Sequence, residues 1–446
     1  MQTLPDVQEV IESNPEWELA WHLLHKDNIS VNLTGKAGTG KSTFIRAVAK
    51  FSGKKVLFTA PTGLAALNIR GVTLHSLFGL PFGPILANDP RLLNHKLSAT
   101  KRKILEKAEL LVIDEVSMVR ADVLDAIDFL LKRYCHSEQP FGGKQMLLVG
   151  DNFQLEPVTK KEEWELLAEV YSHPYYFASE AFKAFECECV ELKTVYRQTD
   201  DYFISLLNKF RIGSVNPSDL DELNSRVVGK LPVVDDEHFR IILATRTAVV
   251  ASENLLKLAQ LKTERHVFKA IVKDRFNPTV YPTEEMLELK VDAQVIMVRN
   301  DKTKRWVNGS LGKVKAIVDN ELKVLLENGK TVKVNRETWE QIEYKYDAKT
   351  KKLEEEVVGT FTQFPVRLAW AITIHKSQGL TFNRVVLNME GGAFAAGQLY
   401  VALSRCRTFE GLILLQAIKP SDIIVKREAL EYAGLGKYID ESYSEY

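Results

Sequence analysis

Gly35-Lys36-Ala37-Gly38-Thr39-Gly40-Lys41-Ser42 places Gly35 and Gly40 around four residues and follows them with Lys and Ser, the pattern of a phosphate-binding loop. The apolar stretch NISVNL, 28–33, precedes it and TFIRAVAKF, 43–51, follows, so the loop is expected to join a strand to a helix. In that setting the glycines let successive backbone N–H groups point into one concavity, and the helix N-terminus adds partial positive charge there. Lys41 is expected to reach the β and γ phosphates of a bound nucleotide, and the Ser42 hydroxyl to ligate magnesium.

Outward from the loop the chain alternates. A helix is expected over 13–25, with Ser13 and Glu16 as its capping signal, then the loop strand, then a strand at 54–59 running into Ala60-Pro61-Thr62-Gly63. Residues 71–100, rich in Gly and Pro, interrupt the alternation as a small insertion. The apolar run ELLVI, 109–113, ends in Asp114-Glu115, and QMLLV, 145–149, ends at Gly150-Asp151 with Gln154 beyond it. Adjacent carboxylates repel each other, and a divalent cation relieves that repulsion; Asp114 is therefore read as a magnesium ligand and Glu115 as the group that polarises water. Gln154 can donate and accept through its amide, which suits a sensor of the γ-phosphate. After about 195 a second alternating half begins, with a strand at 240–244 and helices over 201–211, 220–227 and 248–259. Between 262 and 364 short alternating runs, separated by Asn308-Gly309 and Asn328-Gly329, predict an all-β insertion in the form of a small barrel. The charge run 345–356 is read as a solvated hairpin tip.

With 446 residues, two or more cores are expected. The 59 basic and 59 acidic residues cancel, so contact with nucleic acid would rest on a local groove. Four cysteines without paired spacing argue against a zinc site and for reduced thiols. No apolar run approaches membrane-spanning length and the N-terminus carries no signal pattern, so the expectation is a soluble cytoplasmic protein with no membrane partner. Arg197 and Arg405 are candidates for stabilising charge on a transferred phosphoryl group. Pro61, Thr62, Gly63, His75, Ser76, Phe78, Thr245, Thr373, His375 and Lys376 lie at element ends. They combine hydroxyl, imidazole and basic groups suited to phosphates with aromatic rings suited to bases.

In order, GKAGTGKS, APTGLAA, TLHSLFG, LLVIDEVSMV, GDNFQLEPV, YRQ, AITIHKSQGLT and YVALSRCR resemble the motifs of superfamily-1B DNA helicases. Pro140-Phe141-Gly142-Gly143 resembles the signature of the Pif-one (petite integration frequency) branch, in a bacterial, core-only form. The resemblance spans about 14–418. It implies an α/β protein of two RecA-like P-loop NTPase subdomains, 1A over 1–195 and 2A over 196–261 and 365–446. A 1B insertion would lie at about 76–100 and an SH3-like all-β 2B insertion at 262–364. It implies ATP and magnesium as cofactors, with Gly35, Ala37, Gly38, Thr39, Gly40, Lys41, Ser42, Thr43 and Gly379 around the nucleotide. It also implies ATP-driven 5′-to-3′ movement on single-stranded DNA and opening of forked duplexes, quadruplexes and RNA–DNA hybrids. The protein would act as a monomer or a DNA-induced dimer at the bacterial nucleoid. The chain departs from the pattern at Asn152 and Glu156, where Phe and Pro are common, at Arg246, where Asn is common, and at Glu18, where Gln is usual. The same motifs would fit an ATP-gated DNA clamp without directional movement. A signalling GTPase is disfavoured because the chain lacks an Asn-Lys-x-Asp guanine reader.

Overall fold

The structure, a computed structural model, describes residues 14–229, 239–318, 321–347 and 352–435. Ser13 and the acidic tail 440–446 lie outside them. By internal contacts the chain divides into two units. The first holds Met1–Asn152, Glu156–Tyr196 and Ile342–Val358; the second holds Phe153–Leu155, Arg197–Gln341 and Gly359–Tyr446.

The first unit is built on a six-stranded sheet in the order β3-β2-β4-β5-β1-β6. Its strands are β1 Val31–Gly35, β2 Val56–Ala60, β3 Val72–Thr73, β4 Leu110–Ile113, β5 Gln145–Gly150 and β6 Glu188–Leu192. Every neighbouring pair is parallel. Parallel sheets are covered on both faces, which is why β4 reads as an unbroken apolar run, β5 as one after Gln145, and both are buried at every residue. Helix α1, Pro15–His25, and helix α2, Lys41–Phe51, pack on the sheet through Trp17, Ala20, Leu24, Phe44, Ile45 and Val48. The cap of α1 is Asn14, whose Oδ1 accepts from Trp17 N at 3.0 Å, with Pro15 in the first turn. In the expected signature, Phe141 and Gly142 adopt left-handed conformations (φ 53° and 62°), and Phe141 N donates to Asp128 Oδ1 at 2.6 Å. That turn buries the Phe141 ring edge-on against Phe185, 4.8 Å between centroids.

The second unit carries a four-stranded parallel sheet, β18-β7-β19-β20, from β7 Ile241–Ala244, β18 Ala371–Thr373, β19 Val385–Asn388 and β20 Leu412–Leu414. The helix expected over 220–227 runs Pro217–Asn224, started by Asn216 and Pro217. Between β7 and β18 lie strands β8 Arg265–Lys269, β9 Ile271–Asp274, β10 Met286–Lys290, β11 Gln294–Met297, β12 Leu311–Val318, β13 Glu321–Leu326, β14 Thr331–Val334, β15 Glu337–Asp347, β16 Lys352–Gln363 and β17 Val366–Leu368. Five of them form the antiparallel sheet β14-β13-β12-β11-β17 around Val295, Val314, Val324 and Phe364. Gly329 takes φ 79° in the turn between β13 and β14, as the Asn-Gly signal requires.

Of the charge run 345–356, residues 348–351 lie outside the described residues, while Lys345 and Glu354–Glu356 are exposed on strands β15 and β16. Hairpin β15–β16 is anchored in the first unit by the residues around its charges: Tyr344 is buried and its hydroxyl accepts from Phe58 N at 3.2 Å, while Lys103 and Lys107 lie over the Tyr346 ring. Lysine stems covering an aromatic face explain how a charged segment can pack.

Candidate nucleotide and DNA sites

The phosphate loop leaves β1 at its carboxyl end and enters α2 directly at Lys41. Gly38 and Gly40 have φ of 86° and 93°, left-handed values that glycine adopts without cost. At Gly40 space is limiting too, since a Cβ would come 2.9 Å from Cζ2 of Trp17. Thr39 Oγ1 donates to Lys36 O at 2.9 Å, and Tyr196 N donates to Gly38 O at 2.9 Å, fixing the loop from both sides. Lys41 Nζ folds back onto the loop, donating to the carbonyls of Gly35 and, at 3.0 Å, Lys36.

At the carboxyl end of β4, Asp114 is buried and its Oδ1 accepts from Glu115 N at 2.9 Å. Burial, with the Glu115 charge beside it, pushes the Asp114 carboxyl well above the usual carboxylate range, and Lys41 partly offsets this. Glu115 sits at φ 51°, ψ 43°, a left-handed conformation costly for a residue with a side chain and of the kind that clusters at functional sites. A buried carboxyl of raised proton affinity, Asp114, with Glu115 beside it and Lys41 of the phosphate loop near it, fits a divalent cation that Asp114 and Ser42 would hold. The described residues contain no cluster of three or more His, Cys, Asp or Glu that would hold a metal without a nucleotide.

Gln154, Arg197, Arg405 and Gly379 all fall in the second unit. Gln154 is buried, its Oε1 3.5 Å from Gln378 Nε2. Arg197 donates to Ser404 O at 3.3 Å and Gly379 O at 3.4 Å. Arg405 is 1% exposed, and its donors reach Val401 O, Ser404 Oγ, Ser377 O and Leu380 O.

Of the candidate DNA residues, several hydroxyls cap short turns. Thr62 Oγ1 accepts from Ala65 N, while Thr373 Oγ1 accepts from Lys376 N and thereby fixes the turn that presents Lys376. Thr245 is buried at the end of β7 and its Oγ1 donates to Glu390 O at 3.5 Å; Pro61, Gly63 and Ser76 line the ends of β2 and β3. Phe78 is a correction: it is 0% exposed and belongs to the core, because the helix Leu74–Phe78 buries Leu74, Leu77 and Phe78 together. The available ring is Phe82, 85% exposed and stacked on His75 with centroids 5.5 Å apart and planes 13° apart. The second unit repeats the arrangement: Phe394, 59% exposed, lies parallel to His375 at 6.2 Å and 15°. Burial lowers the pKa of both imidazoles, and the Arg120 charge adds to the effect at His75, so both are neutral at pH 7. Sequence reasoning missed Phe82 and Phe394. Their signal was an aromatic set among turn residues, Pro81-Phe82-Gly83 and Gly391-Gly392-Ala393-Phe394, with no apolar periodicity to bury it.

The family model for PIF1-like helicase matches residues 22–220, and that for the UvrD-like helicase C-terminal domain matches 368–413. The ATP-dependent DNA helicase Pif1 of Bdellovibrio bacteriovorus is 32% identical over 95% of this chain and 92% of its own. The chain belongs to the PIF1-like helicase family. Another relative, the ATP-dependent DNA helicase PIF1 of Rattus norvegicus, is 32% identical over 86% of this chain, which spans only 58% of that longer protein. Among solved structures, Pif1 from Bacteroides sp. in complex with ADP-AlF4 is 41% identical over 96% of this chain and 97% of its own, with a TM-score of 0.88. The same Bacteroides protein bound to ssDNA matches with a TM-score of 0.68. The two-part RecA-like architecture of the family is the fold described above. No helix among the described residues is long and apolar enough to cross a membrane.

Proposed function

We propose that this PIF1-like chain is an ATP-dependent DNA helicase that moves 5′-to-3′ on single-stranded DNA and opens forked duplexes, with quadruplexes and RNA–DNA hybrids as further substrates. The observation that carries the reading is the Asp114-Glu115 pair at the end of β4, with Asp114 buried and within electrostatic reach of Lys41 of the phosphate loop. Family membership, and relatives named for helicase activity, support it.

In this reading, Lys41, which now donates to the Gly35 and Lys36 carbonyls, would turn to the β and γ phosphates, and Ser42 with Asp114 would hold magnesium. Magnesium, when bound, would supply positive charge that offsets the charge of the phosphates. Glu115, held next to Asp114 by the left-handed turn, orients the attacking water and takes its proton. Gln154, Arg197 and Arg405 sense and stabilise charge on the γ-phosphoryl group. On the DNA side, Phe82 over His75 and Phe394 over His375 give each unit one stacking surface, with Thr62, Thr245, Thr373 and Lys376 placed for phosphates. The Bacteroides relative bound to single-stranded DNA, and a similar structure described as two coordinating Pif1 helicases at forked DNA, support single-stranded and forked DNA as partners; the chain acts in this reading as a monomer that pairs with a second copy at a fork, at the bacterial nucleoid.

Strand displacement on duplexes with a 5′ tail, a 3′ tail, a fork and a quadruplex tests this directly. Opening that requires ATP and a 5′ tail is expected. Opening from a 3′ tail alone refutes the polarity, and nucleotide-dependent DNA binding with no displacement refutes the motor in favour of an ATP-gated clamp.

A further inference from the structure

Arg246 follows Thr245 directly after β7 and is one of the positions at which the chain departs from the helicase motif pattern. It stands at the N-cap of the helix Thr247–Gln260 in the extended conformation a cap requires, φ −116° and ψ 136°, yet its side chain makes no capping hydrogen bond. An Asn there could cap the helix, because its short side-chain oxygen accepts from the first-turn N–H groups; a guanidinium, which has only donors, cannot. The guanidinium lies instead against Gly391, where a Cβ would come 2.6 Å from Arg246 Nη2 and 2.8 Å from its Cζ. Arg246 is exposed, and among the described residues its guanidinium has no hydrogen-bond or ion-pair partner. The loop it touches is held in place. Gly391 and Gly392 take left-handed φ of 83° and 74°, and Gly392 N donates to Met389 O at 2.7 Å. Ala393 N donates to Asp422 Oδ1 at 3.0 Å and Phe394 N to Gln398 Oε1 at 3.1 Å. The same loop thus fixes two things within the second unit, the exposed Phe394 ring over His375 and the seat of the Arg246 charge.

We propose that Arg246 is a further DNA-binding residue, whose guanidinium takes a phosphate of the single strand whose base lies on Phe394. The proposal rests on the helicase reading. A planar guanidinium can pair two phosphate oxygens at once, and no carboxylate among the described residues competes for this one. In a chain whose 59 basic and 59 acidic residues cancel, attraction for nucleic acid has to come from such local, uncompensated cations. The position also forgoes a helix cap in order to carry the cation, so stability is given up where charge is gained. That trade predicts opposite signs for one substitution: Arg246→Asn restores a capping side chain and removes a phosphate contact.

The test is the affinity for labelled oligo-dT, without nucleotide, measured as a function of salt. In Arg246→Asn the slope of log affinity against log salt should flatten by about 0.7, the share of one phosphate contact on a single strand. Its deficit against wild type should therefore shrink about 2.5-fold between about 50 and about 200 mM potassium chloride. The loss should be the same on an oligonucleotide of abasic sites, which keeps the phosphates and lacks the bases, and Tm should stay at or above the wild-type value. Arg246→Lys should keep the wild-type slope, because an ammonium also displaces a counterion, with an affinity between the other two because it lacks the fork. A wild-type slope in Arg246→Asn overturns the assignment and leaves the helicase reading intact. A loss confined to base-bearing DNA also overturns it, making the guanidinium a stacking surface, and a loss that comes with a lowered Tm makes Arg246 structural. Wild type that binds no oligo-dT removes the DNA reading itself, and this assignment with it.

Discussion

Replacing Phe82 by alanine separates a DNA contact from a core residue, because Phe78 four positions earlier is its control. Phe82 is 85% exposed. Only some 15% of a phenylalanine surface of about 200 Å² is covered, roughly 30 Å², so truncation should cost no more than about 0.8 kcal/mol of stability. Phe78 is 0% exposed, and removing a core ring costs about 3–5 kcal/mol. Stacking one base on an aromatic ring is worth about 1–3 kcal/mol, or about 5- to 150-fold in affinity. Phe82→Ala should therefore keep nearly the wild-type Tm while losing that factor in binding to labelled oligo-dT, read by fluorescence anisotropy. Phe78→Ala should lose the folded state before any specific effect on DNA can be seen. An oligonucleotide with abasic sites supplies the internal test: it offers phosphates without rings, so wild type and Phe82→Ala should bind it equally. Unchanged oligo-dT affinity in Phe82→Ala, or an equal loss on abasic DNA, would show that Phe82 does not stack on bases.

Gly40→Ala combines a φ of 93° with a Cβ 2.9 Å from the Trp17 ring, so it should abolish nucleotide binding in titration calorimetry while leaving oligo-dT affinity within about threefold; bound nucleotide at wild-type affinity would contradict the loop assignment. Glu115→Gln should bind ATP yet turn over about a hundredfold or more slowly in a phosphate-release assay, whereas loss of nucleotide affinity would make Glu115 structural. Because His75 and His375 have folded-state pKa values below the ordinary 6.5, the unfolded chain takes up protons first as pH falls. Their contribution to stability is complete above pH 6.5 and is lost on acidification below it, so Tm should fall between pH 7 and 5.5, and less so in His75→Phe with His375→Phe.

The phosphate loop, the acid pair after β4 and the alternation of strands and helices were legible in the sequence because each depends on neighbours a few residues away. Gly40 must be glycine for its own φ, Asp114-Glu115 follows directly from an apolar run, and a buried parallel strand such as Leu110–Ile113 announces itself by having no polar residue. The PIF1-like signature at Pro140–Gly143 was readable for the same reason, its left-handed run starting at Phe141 and continuing through two glycines. Tertiary structure alone decided which aromatic is buried. Phe78 and Phe82 lie four residues apart, one at the end of a short helix and the other between Pro81 and Gly83, but only the assembled strands give the first a core to face. It also decided that Arg405, which as a free guanidinium would reach solvent, is enclosed among the carbonyls of residues 377, 380 and 401, and that Tyr344 of β15, far along the chain, accepts a hydrogen bond from the backbone of β2. Those outcomes depend on contacts between residues tens to hundreds of positions apart, whose geometry is set by the closed fold and leaves no periodicity in the chain itself.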